Sequence, residues 1–180
     1  MARQQTKSTS AAKPGRRAPR GLAAGVAIVV VVAAVVGWFA YQASADKPGE
    51  RLEDLGNVHI QTASDPHAPY NSDPPTSGPH LPYIAPWGIH TRPIPPELQV
   101  HNLEDGGVLV QYNCECADLV EKLRAIVRNY DKQVILAPYP SMKSRIALTA
   151  WTRLDRFDAY DAKRIVRFIE AYRGIDHHKG

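Results

Sequence analysis

Between Pro66 and Pro96 lie ten of the chain's fifteen prolines, and this density decides what the middle of the molecule can be. Proline lacks an amide donor and clashes with the preceding turn, so helix interiors and central strands are both excluded there. Interleaved with the prolines are Tyr70, Tyr83 and Trp87 and the imidazoles of His67, His80 and His90. Disordered linkers are poor in large aromatics, so the segment reads as an ordered loop wrapping a core.

The core itself lies downstream. Val108-Leu109-Val110-Gln111-Tyr112 reads as a strand. Leu119, Leu123, Ile126, Val127 and Tyr130 fall on one helical face, with Asp118 placed to cap the first turn. Gln133 to Ala137 and Arg145 to Trp151 read as strands separated by a Pro-Tyr-Pro-Ser turn. Ile165, Phe168, Ile169 and Tyr172 then repeat at helical spacing before Gly174. The expected domain is α+β, a small mixed sheet with two helices in the order strand, helix, strand, strand, helix, preceded by the proline-rich wrapping loop.

Upstream, Leu22 to Ala40 is almost wholly apolar, and no charge falls between Arg20 and Asp46. Such a stretch is long enough for a transmembrane signal-anchor helix, expected over residues 22–42. The cations Arg3, Lys7, Lys13, Arg16, Arg17 and Arg20 predict that the N-terminus stays in the cytoplasm and the domain is delivered outside. The expected location is therefore a bacterial inner or cell membrane, single-pass, with the domain periplasmic or extracellular. The expected organisation is a basic tail at 1–21, the anchor at 22–42, a stalk at 43–58, the domain at 59–174 and a frayed tail at 175–180. Ala43-Ser44-Ala45 also fits a signal-peptidase site, so cleavage is the alternative to anchoring.

Charge narrows the partners. The six N-terminal cations account for more than the whole formal charge of +4, and without them the chain carries −2. The basic balance belongs to the tail, and no nucleic-acid partner is expected of the domain.

Two segments are distinctive together: Tyr70-Asn71-Ser72-Asp73-Pro74-Pro75-Thr76-Ser77-Gly78-Pro79-His80, and Val100-His101-Asn102-Leu103-Glu104-Asp105-Gly106-Gly107-Val108. The pair resembles the bacterial family catalogued as domain of unknown function 3105, over His59 to Arg173. The resemblance implies a membrane helix joined to an exported domain and implies no established activity. The family pattern reads His-x-x-Glu-His-Gly where this chain has Asp105 in place of the second imidazole.

His59, His67, His80 and His101 fall in or beside these motifs, and Glu104 and Asp105 follow His101. Neutral imidazole with a carboxylate suits copper, zinc or non-haem iron, so these six residues are the candidate metal ligands. The competing account has His80 and His101 pinning the loop by hydrogen bonds to its backbone. Cys114 and Cys116 are the only cysteines. Residues two apart in an extended strand have Cα atoms about 6.5–7 Å apart, which argues against an easy disulfide. A thiol site before the helix, suited to copper(I), or a reducible disulfide are the alternatives, alongside ordinary buried thiols. Ser77 with His80 or His101 and Asp73 or Asp105 has the residue types of a hydrolase, but no Gly-x-Ser-x-Gly elbow is present and Pro79 removes an oxyanion donor. No catalytic residue is assigned. The leading expectation is transition-metal binding, copper or zinc, in metal handling or in assembly of a membrane redox protein as partner. The alternative is a metal-free interaction module presenting Tyr83 and Trp87 to another membrane protein.

Overall fold

The structure is a computed structural model that describes residues 29–39 and 47–178. The chain divides into two compact units, Met1–Asp46 and Lys47–Gly180. In the first, residues 29–39 form helix α1, whose large apolar side chains from Val29 to Phe39 are exposed. No helix among the described residues is long and apolar enough to cross a membrane. The single-pass anchor, and the membrane location with an exported domain inferred from it, are corrected on that finding. The rest of the 22–42 segment and the basic tail at 1–21 lie outside the described residues.

The second unit runs β1 (Glu50–Arg51), β2 (Gly88–Ile89), α2 (Pro96–Glu104), β3 (Val108–Tyr112), α3 (Ala117–Val127), β4 (Val134–Pro138), β5 (Ile146–Ala150), β6 (Arg153–Phe157) and α4 (Ala162–Tyr172). The strands form one open mixed sheet in the order β1-β6-β5-β3-β4-β2. β3 and β2 flank β4 in parallel, while β5 is antiparallel to both β3 and β6. The five-element arrangement expected from the sequence is thus too small, for three physical reasons. β6 reads Arg-Leu-Asp-Arg-Phe, whose charges hide its alternation. β2 is a two-residue edge strand inside the proline-rich segment, where a short edge tolerates neighbouring prolines. α2 starts on Pro95-Pro96, and proline is accommodated at a helix N-terminus because that amide has no partner to lose.

Alternation along the strands sorts the core into two layers. Val108, Val110, Tyr112, Val134, Leu136, Ile146 and Leu148 pack against Leu119, Leu123, Ile126 and Val127 of α3 and Ile165, Phe168 and Ile169 of α4. On the opposite face Leu109, Ile135 and Ala137 meet Val100 and Leu103 of α2, with Ala85, Ile94 and Trp151. Both faces of the central strands are therefore covered, which is why β3 is apolar at four of its five positions. Asp161 caps α4 by accepting from the Arg164 amide at 3.0 Å. Asp118 does not cap α3: the cap position is Cys116, and Asp118 lies in the first turn.

Candidate metal centre

α2 is held to the molecule by buried polar side chains. The Asn102 amide donates to the Ala85 carbonyl and accepts from the Ala85 amide, both at 2.9 Å. Gln99 donates to the Ile94 carbonyl at 2.6 Å and accepts from Gln111 at 2.8 Å. At the helix end Gly107 passes so close to Asn102 that an added Cβ would lie 2.4 Å from its carbonyl oxygen and 2.7 Å from the Trp87 ring. This fixes the last turn, which carries His101, Glu104 and Asp105 at i, i+3 and i+4 on one helical face.

Two loop segments bring the remaining imidazoles. His59 and His80 pair as an isolated parallel bridge: the His80 amide donates to the Val58 carbonyl at 3.0 Å, and the Ile60 amide to the His80 carbonyl at 2.8 Å. The ring centroids of His59, His80 and His101 then stand 4.9 to 5.3 Å apart, with His59 and His101 stacked and His80 edge-on to both. One ligand atom from each of His59, His80, His101 and Glu104 lies within 4.8 Å of the others. His80 and Glu104 are fully buried, His101 is buried, and His59 is exposed.

Hydrogen bonds settle the orientation of two rings. His80 Nδ1 lies 2.8 Å from the Gly78 carbonyl and His101 Nδ1 lies 2.7 Å from the Leu81 carbonyl. A carbonyl only accepts, so both Nδ1 atoms carry the proton and donate. In a neutral ring Nε2 is then a lone pair. His80 Nε2 faces Glu104 Oε2 at 3.0 Å, and Asn57 donates to the other carboxylate oxygen at 2.7 Å. Burial is the largest influence on His80 and holds its pKa below the ordinary imidazole value, against the opposing pull of the Gly78 hydrogen bond and the Glu104 charge. A neutral His80 and an ionised Glu104 at this distance present two acceptors to one another.

The C-terminal tail, expected from the sequence to be frayed, supplies a further group. The Gly174 amide donates to the Gly106 carbonyl and the His177 amide to the Glu104 carbonyl, at 2.8 and 2.9 Å. His178 follows, with Nδ1 bonded to Asp176 at 2.8 Å and Nε2 lying 3.4 Å from Glu104 Oε2 and 3.6 Å from Asp105 Oδ1. The Asp176 hydrogen bond is the main reason its pKa is raised. His101, Asp105 and His178 form a second group with ligand spacing. His177 stacks on Trp151 at 5.8 Å. The only sequence signal for this was the Asp-x-His pairing of 176 and 178, which is weak by itself.

Other sequence candidates fall elsewhere. His67 is outside both groups; its Nδ1 donates to the Ala68 carbonyl and its Nε2 lies 3.6 Å from Glu97. Cys114 and Cys116 are disulfide-bonded with Cα atoms 5.3 Å apart. The extended geometry assumed from sequence does not apply, because the chain bends at Cys114 as it leaves β3. Ser77 is fully buried, accepting from the Leu55 amide at 3.0 Å, and Asp73 accepts from the Tyr139 hydroxyl at 2.6 Å, so neither serves a hydrolase triad. Tyr83 is exposed, whereas Trp87 packs inward against Leu109 and its neighbours.

Fold and site together define a mixed-sheet domain with helices on both faces and a His/Glu cluster of metal-ligand spacing that is buried except at His59. The family model described as a protein of unknown function (DUF3105) matches residues 61–179, and the chain belongs to that family. Comparison with curated proteins gives no match, and neither does comparison with solved structures.

Proposed function

We propose that this protein binds a single transition-metal ion, zinc or copper, through His80 Nε2, His101 Nε2, His59 and Glu104, in a metal-handling role. The observation that carries the reading is the commitment of both buried Nδ1–H groups to backbone carbonyls. That fixes the tautomer in which Nε2 is the free ligand atom, as outer-shell hydrogen bonds do for metal-bound histidines generally. Three imidazoles with one carboxylate suit zinc and copper(II) by ligand type. Exposure of His59 beside buried partners gives an ion a route in and out.

Elemental analysis of the full chain, purified without chelator or histidine tag and then reloaded with zinc or copper(II), tests this. One ion per chain, lost in both His80→Ala and His101→Ala variants that retain the circular dichroism of the wild type, is the expected result. Folded wild-type protein that takes up neither metal overturns the proposal.

A further inference from the structure

A second chemistry lies at the one cysteine pair of the sequence, Cys114 and Cys116. β2, β4 and β3 run parallel, and the segments leaving their carboxyl ends enclose a crevice of about 500 Å³. Thr91 and Pro93 follow β2, Pro138 and Pro140 end and follow β4, and Tyr112, Asn113 and Cys114 end and follow β3. Crevices outside the carboxyl ends of parallel strands are where open α/β sheets place their ligands. In this one the wall includes the sulfur-bearing residue Cys114, and its disulfide partner Cys116 is the N-cap of α3. Both cysteines are only half-buried.

The placement argues against a purely structural bond. A disulfide between residues two apart closes a very short loop, and the entropy that a cross-link removes from the unfolded chain grows with loop length. This link therefore does little to hold the fold. It stands instead between the central strand of a βαβ unit and the first turn of the following helix, which is where thioredoxin-type redox motifs carry their cysteines. β5 antiparallel on the far side of β3, then β6 and α4, completes the same layout of sheet and helices. The likeness is one of topology, with one residue between the cysteines instead of two.

We propose that Cys114–Cys116 is an exchangeable disulfide that oxidises dithiols. A thiolate of the dithiol attacks Cys114 Sγ from the crevice, the S–S bond breaks, and its electron pair leaves on Cys116 Sγ. The amide dipoles at the start of α3 stabilise that departing thiolate, and a better leaving thiolate departs faster. The second thiol of the dithiol, deprotonated, then attacks its own sulfur in the mixed disulfide and expels Cys114 as thiolate. In sum the dithiol is oxidised to a disulfide, Cys114 and Cys116 are reduced to two thiols, and the two protons released by the dithiol are taken up by the cysteines.

The experiment compares the oxidised full chain with an oxidised peptide of sequence Asn113 to Ala117, which carries the same ring without the helix or crevice. Each is mixed with dithiothreitol at neutral pH, quenched with acid, alkylated and read by mass. Reduction of the protein at least tenfold faster than the peptide is expected. In the Cys116→Ser variant, whose Cys114 is free, a mixed disulfide with oxidised glutathione is expected at Cys114, at least tenfold faster than with the reduced peptide bearing the same change. Protein rates equal to or below the peptide rates in the wild-type comparison overturn the proposal, whatever the variant does. The reaction is followed with chelator present, so its result is independent of any ion at the histidine cluster.

Discussion

Replacing Glu104 by glutamine separates a metal ligand from a structural ion pair by the sign of its effect. Glu104 Oε2 faces His80 Nε2 at 3.0 Å, and both side chains are fully buried. His80 is kept from protonating chiefly by burial. With a neutral His80, glutamine leaves its oxygen to accept from Asn57 and turns its amide toward His80 Nε2, making a donor–acceptor contact where two acceptors stood. One neutral hydrogen bond contributes about 1 kcal/mol. The contact to His178 that is lost is about half exposed on the histidine side, and ion pairs open to solvent are worth about 0.2–1 kcal/mol. The Glu104→Gln protein should therefore be as stable as the wild type, or up to about 0.8 kcal/mol more stable, in chelator. Zinc at a hundred times its dissociation constant should stabilise the wild type by ~2.7 kcal/mol and the variant by much less. Urea denaturation followed by tryptophan fluorescence, with chelator and with zinc, reads both. Were His80 instead an imidazolium paired with Glu104, breaking the buried pair would cost about 3–5 kcal/mol. A loss of that size in chelator, or an undiminished zinc effect, would refute the reasoning.

Three further outcomes follow from the same geometry. Folded-state pKa values of His80 and His177 lie below the ordinary 6.5, with burial as the first cause. The unfolded chain thus binds more protons below about pH 6.5, and metal-free stability should fall between roughly pH 7 and pH 5. His178 is shifted the other way and is mostly exposed, so it offsets little of this; flat stability over that window in urea titrations would contradict the assignment. His178→Ala should weaken zinc binding about tenfold in a competition titration, the effect of removing an outer ligand or its support, and unchanged affinity would exclude the tail from the site. Gly107→Ala forces a Cβ against the Asn102 carbonyl oxygen at 2.4 Å, where backbone cannot yield, and should cost about 1–3 kcal/mol in urea denaturation.

How far the fold was legible depends on what each element buries. α4 carries Ile165, Phe168, Ile169 and Tyr172 on one face with charges opposite, so its period is plain in the sequence. α2 is covered along its whole second half, and Gln99, Asn102 and Glu104 are buried there as hydrogen-bonding groups. Its polar residues point inward along with its apolar ones, and no amphipathic stripe survives for sequence reading to find. β1 and β2 are two residues long and exist through their partners β6 and β4. Local sequence holds no record of such pairings. The apolar run before Ala40 misled in the opposite direction, since composition alone fitted a membrane span that the described helices do not form.

The candidate site was legible as a set of residue types and illegible as a shape. His80 and the His101–Asp105 group could be picked out because their motifs are dense in glycine, proline and histidine, which cost a chain regular structure unless geometry is being set. Gly78 illustrates this: its φ of 119° is one that a side chain resists, and the carbonyl it orients holds His80 Nδ1. What no motif could reveal is that three segments distant in sequence converge, because each is held by backbone contacts to a different neighbour. His59 depends on its bridge to His80, His101 on the Leu81 carbonyl, and His178 on the Gly174–Gly106 and His177–Glu104 bonds that tie down the tail. Those contacts are between main-chain atoms or end on them, so they leave little mark on residue identity. This is why His178, four residues beyond Gly174 in a tail expected to be frayed, was not among the candidate ligands, and why its ring nonetheless lies 3.4 Å from the Glu104 carboxylate.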